Sequence, residues 1–114
     1  MSEQNTQPAL VSAAMGIILH AGDARNYAKQ AREAMREMNF TEAHALLETA
    51  KKEIAEAHRA QTEIIQNEAR GIRYEYSMLF NHAQDTLMTI NSEYNTAVQM
   101  MAMYQLLNAR LCRL

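Results

Sequence analysis

Residues 10–38 read LVSAAMGIILHAGDARNYAKQAREAMREM, and this stretch decides the fold class of the chain. Its apolar residues recur at alternating spacings of four and three, which places them on one face of an α-helix. Alanine fills the middle of this face, so a partner helix can approach it closely. The first apolar seam consists of Leu10, Ala14, Ile17, Ala21, Ala24, Ala28, Ala31, Met35 and Met38.

Two further seams of the same kind follow, each after a short break. In the first break, Asn39 tolerates the left-handed conformation that ends a helix, and Thr41 can cap the next helix. In the second break, we expect Gly71 to stop the helix and Ser77 to cap the third one. The second seam is Ala43, Leu47, Ala50, Ile54, Ala57, Gln61 and Ile64, and the third is Phe80, Ala83, Leu87, Ile90, Tyr94, Ala97, Met101, Tyr104 and Leu111.

The seams predict an all-α, three-helix up-down-up antiparallel bundle that occupies residues 1–114 as a single domain. We expect a flexible polar tail over residues 1–8 and helices over about residues 9–38, 41–69 and 75–112. A composition with 3 Gly, 1 Pro, 9 Met and no Trp supports this fold class, because it favours helix and is poor in turns. The predicted third helix is longer than the second, so its end must pack on another surface or stand in water.

Charge, cysteine content and hydropathy exclude several classes of protein. The net charge is −2 and no basic stripe is present, which argues against binding to nucleic acid. Cys112 is the single cysteine, so the chain cannot form an internal disulfide, and a reducing compartment fits. No apolar run approaches membrane-spanning length, and the first residues are polar. We therefore expect a cytoplasmic protein without direct membrane insertion.

A second stripe runs along the predicted third helix at the same heptad spacing, and we call it the axial stripe. Its middle consists of small polar side chains, and it contains no lysine or glutamate, unlike the outer faces of the first two helices. Such a surface suits burial against copies of itself, so the sequence predicts a homo-oligomer with this helix near a symmetry axis. The axial stripe is Met78, His82, Asp85, Thr89, Ser92, Thr96, Gln99, Met103 and Leu106.

His82 and Asp85 are three residues apart on this stripe and therefore point the same way. Two interpretations of His82 remain open: a core or interface histidine with one hydrogen bond, or a nucleophile. A neutral imidazole, which histidine provides near neutral pH, can accept a phosphoryl group on one nitrogen and pass it on. In that case Gln84, Thr86 and Thr89 are the amide and hydroxyl groups available to hold phosphate oxygens.

Asp85 has three interpretations: a surface acid, a group that orients His82, or a metal ligand. If the axial stripe lies at a three-fold axis, three copies of this carboxylate converge there. Like charges so close would repel each other and some would take up protons. A divalent cation with oxygen ligands would remove this conflict.

The remaining histidines, His20, His44 and His58, are scattered over the first two helices and show no zinc-binding spacing with His82. Gln61 shares a face with His58 and interrupts the second seam, so it should find a hydrogen-bond partner in the bundle. A structural role is the preferred interpretation for these residues.

Three blocks of the chain resemble the lactose/cellobiose class of enzyme IIA proteins of the bacterial sugar phosphotransferase system. They occur in the order and at the spacing of that family, and the resemblance covers residues 10–107. The blocks are Met15–Ile18 with Ala21–Arg25, Glu56–His58 with Gln61 and Thr62, and Ser77 followed by His82–Asp85 and Leu87–Thr89.

The resemblance implies a homotrimer in which the histidine matching His82 accepts a phosphoryl group from the phosphocarrier HPr. That group then passes to a cysteine of enzyme IIB, for uptake and phosphorylation of a disaccharide. The resemblance also implies that the aspartate matching Asp85 meets its copies at the trimer axis and binds a divalent cation, magnesium. Ala83 favours the cellobiose or chitobiose branch over lactose.

Two positions depart from the family pattern. The family often has a second histidine where this chain has Thr86, and an apolar residue where it has Asn81. Two alternatives to a phosphocarrier stay open on other grounds. The long seams and the overhanging third helix also suit a non-catalytic helical oligomerisation scaffold, and His82 with Asp85 could serve a metal-dependent hydrolase.

Overall fold

The computed structural model describes residues 2–113, with side chains from residue 8 onward, and contains three long α-helices. They are α1 (Ser2–Arg36), α2 (Phe40–Ala69) and α3 (Met78–Leu111), and the described residues include no strand. Both α2 and α3 pack along α1, and the bundle is 71 Å long and about 20 Å wide. The predicted all-α, three-helix fold is confirmed.

The predicted seams form the core. On α1, every seam residue from Leu10 to Met35 is at most 2% exposed. On α2, the seam is buried except at Gln61, which is half-buried. On α3, the seam residues from Phe80 to Ile90 and Ala97 are buried. Met38 is the exception on α1, because it lies in the chain reversal and is 46% exposed.

The core consists of two clusters of buried side chains, and Tyr94 of α3 packs against both of them. The larger cluster occupies the half of the bundle that holds the start of α3, and the smaller one surrounds Met35 and Leu47. Burial of the Tyr94 ring, with a smaller effect from Glu48, raises the pKa of its phenol above the usual value. Through its contacts with both clusters, the ring joins the two halves of the core.

The first chain reversal places the cap of α2 on Asn39, and the prediction of Thr41 as the cap is wrong. The backbone N–H of Glu42 donates to Oδ1 of Asn39 at 3.2 Å, and Nδ2 of Asn39 donates to the Glu42 carboxylate at 3.0 Å. Met38 takes the left-handed conformation, with φ of 59°. Because the amide of Asn39 reaches both groups of Glu42, α2 begins at Phe40.

The second break confirms the roles predicted for Gly71 and Ser77. Helix α2 ends at Ala69, and Gly71 has φ of 99°, a conformation that L side chains rarely adopt. The hydroxyl of Ser77 accepts the backbone N–H of Phe80 at 3.0 Å, which fixes the start of α3. Helix α3 therefore begins three residues later than the predicted residue 75.

The two ends of the chain compare differently with the prediction. The backbone of residues 2–8 is helical, so the predicted tail is wrong there; Met1 lies outside the described residues. Residues 2–7 continue α1 through Pro8, which lies inside the helix although proline lacks the backbone N–H that would bond one turn back. At the other end, α3 continues past the core with Met103, Leu106, Leu107 and Leu111 exposed.

The buried seam of α2 predicts that no side chain larger than alanine fits without strain at Ala57, which is fully buried. Replacement by leucine forces extra atoms between α2 and its partners, so Ala57→Leu should lower the free energy of unfolding by about 1–3 kcal/mol. Urea denaturation at matched protein concentration measures this. Ala55→Leu is the control, since Ala55 is exposed on the same helix. Equal stability of the two variants would contradict close packing at this seam.

Candidate functional site

The axial stripe lies on the face of α3 that points away from the bundle core. All nine of its residues are exposed in the single chain, and Asp85 is the one charged member. Its two ends are strongly apolar, with Met78 75% exposed and Met103 63% exposed. A face of this length with a single charged side chain is unusual for a surface helix in water, where charged side chains normally predominate.

His82 projects from the second turn of α3 into solvent. No hydrogen bond to its imidazole is found among the described residues, so both ring nitrogens are accessible. The single chain therefore does not use this ring as a core side chain, which leaves the nucleophile and interface interpretations. The Ser77 cap and the buried Phe80 and Ala83 hold the backbone on either side of it.

The two threonines that follow are bonded to the helix backbone. The hydroxyl of Thr86 donates to the carbonyl oxygen of His82 at 2.8 Å, and that of Thr89 donates to the carbonyl oxygen of Asp85 at 2.9 Å. In this structure both predicted phosphate-binding hydroxyls thus satisfy carbonyls one turn back. Each hydroxyl must break its bond to the carbonyl before it can donate to a phosphate oxygen.

Gln84 is held by α2 and faces away from His82. Nε2 of Gln61 donates to Oε1 of Gln84 at 2.9 Å, which supplies the hydrogen-bond partner that the sequence required for Gln61. Residues two apart on a helix project roughly 200° apart. The structure therefore does not bring Gln84 and His82 together within one chain, although they are close in sequence.

The rotation of α3 assigns its exposed residues to two flanks. Arg25 of α1 donates two hydrogen bonds to the Glu93 carboxylate, at 2.9 and 3.1 Å, so Glu93 marks the flank beside α1. His82 precedes Glu93 by 11 residues, which is close to three full turns, and so lies on this α1-side flank. Asn81 lies on the α2-side flank, and Asp85 projects between the two.

A cavity of about 220 Å³ opens on the α2-side flank, between the end of α2, the linker and the start of α3. The linker is held there by Asn67, whose Nδ2 donates to the Tyr74 hydroxyl at 2.9 Å. No sequence pattern indicated this cavity, because it depends on how the linker folds back. Its walls are Leu10, Ile64, Ile65, Glu68, Tyr74, Glu75, Tyr76, Ser77, Phe80, Asn81 and Gln84.

The other histidines lie apart from the axial stripe. His20 of α1 contacts Glu53 of α2, with 2.7 Å between Nδ1 and Oε2, and so ties these helices together. His44 and His58 are exposed on α2. The sequence did not indicate the His20–Glu53 contact, because the two residues are 33 positions apart.

A single chain does not assemble a metal site from the residues described. Among them, no group of three or more His, Cys, Asp or Glu side chains could hold a metal ion. The exposed carboxylate of Asp85 has the hard oxygen atoms that magnesium prefers, but one carboxylate is a weak site by itself. Further ligands would have to come from outside the described part of this chain, and magnesium usually keeps several waters among its ligands.

A small three-helix protein that presents a histidine and a carboxylate on an unpartnered helix face matches a recognised class of phosphotransferase component. The family model described as the lactose/cellobiose-specific IIA subunit of the phosphotransferase system matches residues 12–105. The chain belongs to this family, whose members are phosphotransferase carriers in sugar transport.

Several relatives and solved structures support this assignment. The chain is 39% identical over 89 residues to the lichenan-specific enzyme IIA component of Bacillus subtilis, covering 78% of this chain and 81% of that protein. It is 45% identical over 73 residues to a lactose-specific component of Staphylococcus aureus, covering 64% and 71%. The cellobiose-specific enzyme IIA of Bacillus anthracis superposes with a TM-score of 0.82 at 38% identity, covering 86% and 90%. PtcA of S. mutans gives 0.85 at 37% identity, covering 87% and 97%.

Within residues 2–113, none of the three helices combines the length and the apolar character needed to cross a membrane. This agrees with the sequence, in which no apolar run approached that length.

The Gln61–Gln84 bond predicts a measurable coupling between α2 and α3. Either Gln61→Ala or Gln84→Ala leaves a half-buried amide without its partner, so each should lower the free energy of unfolding by about 1 kcal/mol. The double variant should cost less than the sum of the two, because the second change removes a group that is already unpaired. Urea denaturation of the four proteins provides the comparison. Strict additivity would show that the two amides do not interact.

Proposed function

We propose that this chain accepts a phosphoryl group from phospho-HPr on His82 and delivers it to a cysteine of enzyme IIB. The observation that carries this proposal is the exposed imidazole of His82, to which no described residue makes a hydrogen bond, inside the residues that match the family model. A visiting protein can reach such a ring from solvent. These partners place the proposed reaction in the bacterial cytoplasm.

The proposed chemistry consists of two transfers of one phosphoryl group. First, a lone pair of the imidazole forms a P–N bond while the bond between phosphorus and the donor breaks. Then the thiolate of the acceptor forms a P–S bond while the P–N bond breaks, which restores the neutral ring. Such transfers depend mainly on positioning and on offsetting the charge of the phosphoryl oxygens. Both contributions come partly from the visiting proteins.

We propose Gln84, Thr86 and Thr89 as the groups that contact the phosphoryl oxygens, and each must meet a geometric requirement to do so. Thr86 lies on the α1-side flank of α3, as His82 does. Its hydroxyl must turn away from the His82 carbonyl to reach a phosphoryl oxygen. The Thr89 hydroxyl must likewise turn away from the Asp85 carbonyl before it can reach a phosphoryl oxygen. Gln84 faces the opposite flank in its own chain, so any contact it makes with a phosphoryl group would be with the group on another copy.

For the transported sugar, we propose a disaccharide of the cellobiose or chitobiose type rather than lactose. Ala83 supports this choice. So does the similarity to a lichenan-specific component and to a solved cellobiose-specific enzyme IIA. Growth on each sugar by a strain that lacks this chain, with and without a plasmid copy, would separate the two classes.

We also propose that the chain assembles as a homotrimer through the axial stripe, with Asp85 from each copy at the axis. The support is the exposure of all nine stripe residues in the single chain, together with the absence of lysine and glutamate from them. Three carboxylates together would hold a divalent cation such as magnesium, which supplies positive charge against their repulsion. A scaffold without catalysis uses the same stripe, so phosphorylation is the property that distinguishes the two functions.

The phosphocarrier proposal predicts that the wild-type chain gains the mass of one phosphoryl group when incubated with HPr, enzyme I and phosphoenolpyruvate. His82→Ala should gain none, because the accepting nitrogen is gone. Intact-mass spectrometry under non-acidic conditions measures the label, since the P–N bond is labile in acid.

His58→Ala is the matched control, because it removes another exposed histidine from the same chain. It should be labelled like the wild type. A wild type that stays unlabelled while still forming trimers would favour the scaffold. Labelling of His82→Ala would show that the accepting residue lies elsewhere.

The trimer proposal predicts that a chelator loosens the wild-type oligomer, because it leaves the Asp85 carboxylates without a compensating charge. Asp85→Leu should form an oligomer at least as stable and indifferent to chelator, since the repelling charges are gone. Sedimentation equilibrium with and without EDTA measures both. Asp23→Leu, which changes an exposed acid on α1, should behave as the wild type. A wild type that is monomeric at every concentration would overturn the proposal.

A further inference from the structure

We propose that Asn81 of one chain lies beside His82 of the neighbouring copy and positions its imidazole for phosphoryl transfer. This inference rests on the proposed trimer and on the proposed role of His82. It adds a residue from a second chain to a site that is incomplete in the first.

The two flanks of α3 carry different side chains. His82 lies on the α1-side flank, as the Arg25–Glu93 ion pair shows, and Asn81 lies on the α2-side flank, where it lines the cavity. Successive helical residues turn by about 100°, so the Asp85 direction falls between the two. With Asp85 at an axis, His82 and Asn81 project to opposite sides of it.

Cyclic symmetry then determines which side chains meet. In a ring of identical copies each contact is heterologous, so the α1-side flank of one α3 faces the α2-side flank of the next. Copies related by rotation about an axis along α3 also keep their residues at equal heights. Adjacent residues differ by only about 1.5 Å along the helix. His82 of one copy and Asn81 of the next are therefore brought together at the same level.

The chemistry of the two side chains is complementary. The Asn81 carboxamide is exposed and makes no hydrogen bond to another described residue, so its carbonyl oxygen is available as an acceptor. That oxygen can accept the N–H of one imidazole nitrogen and hold the ring in a single tautomer. The lone pair of the other nitrogen is then directed outward, toward the donor. Nothing in the described part of its own chain orients His82 in this way.

The cavity on the α2-side flank also comes close to the neighbouring His82 in the proposed trimer. Asn81 and Gln84 both line it, so the symmetry that brings Asn81 to a neighbouring His82 brings the cavity mouth there too. Its Gln84 is fixed by Gln61, which leaves the Nε2 protons of Gln84 free to donate. The α2-side flank thus presents two amides to the neighbouring ring.

Complementation between a slow chain and an inactive chain tests whether Asn81 acts across the interface. Asn81→Leu alone should accept the phosphoryl group from phospho-HPr roughly fivefold more slowly, the loss of about one hydrogen bond. Subunit exchange with a large excess of His82→Ala gives each slow chain neighbours that carry Asn81. The rate per remaining His82 should then return to the wild-type value. An altered fold within the slow chain would not be repaired by its neighbours.

Asn95→Leu is the matched control, because Asn95 is exposed on the same side of α3 about four turns further along. It should react at the wild-type rate. An unimpaired Asn81→Leu chain, or a mixture that stays slow, would overturn the inference. A mixture that stays slow would mean that Asn81 acts within its own chain.

Cross-linking tests the same contact without phosphorylation. In a Cys112→Ser background, chains carrying Asn81→Cys and chains carrying His82→Cys are mixed and oxidised. A disulfide-linked dimer of the two should form, whereas Asn95→Cys with His82→Cys should not link, since those positions are about 20 Å apart along the helix. If the wild type is labelled normally but no linked dimer forms, the inferred contact is overturned and the proposed function stands. If the linked dimer forms but the wild type is not labelled, the contact stands, whereas the proposed function and the positioning role that rests on it are both overturned.

Discussion

Close approach of the helices along the alanine seam of α1 is the constraint on which the rest of the structure depends. Ala14, Ala21, Ala24 and Ala31 have no exposed surface, so the partners of α1 pack directly against its backbone. Because both α2 and α3 pack along this helix, its narrow seam sets the spacing of the whole bundle. The larger side chains of α3 fill the space that the alanines leave, which gives that helix one preferred rotation.

Polar contacts at the edges of the core make this rotation specific. Arg25 holds Glu93 on one side of α3, and Gln61 holds Gln84 on the other. Exposed ion pairs contribute little free energy, and a single amide pair contributes about as much as an ordinary hydrogen bond. Their importance is geometric, since together they decide which exposed residues face α1 and which face α2.

That rotation has consequences for function. It leaves the axial stripe outside, where another copy can cover it, and it separates His82 from Gln84 by almost half a turn. A histidine at the edge of such a stripe stays open to a visiting protein on one side, while a neighbouring chain can contact it on the other. The same arrangement allows Asp85 to approach an axis without bringing the imidazole there.

The fold and the candidate site could be predicted from the sequence to different extents. The seams, Gly71 and Ser77 were predictable, because helical periodicity and the conformations of glycine and serine are local properties. The cap at Asn39 was missed although the sequence carries its signal: Glu42 follows Asn39 at the capping-box spacing, whereas His44 follows Thr41 at that distance. The helical backbone before residue 9 was also missed, because a polar composition does not distinguish a tail from an extended helix.

By itself the sequence determined that three amphipathic helices form, and that His82 and Asp85 share the outer face of the third. Spacing along one helix is sufficient for this, because the helix repeat relates neighbouring residues directly. Only the tertiary structure decided the rest. It assigned His82 to the α1-side flank and Asn81 to the α2-side flank, turned Gln84 toward Gln61, and bonded the two threonine hydroxyls to backbone carbonyls. Those outcomes depend on the rotation of α3 against α1 and α2, which is set by packing between residues distant in sequence.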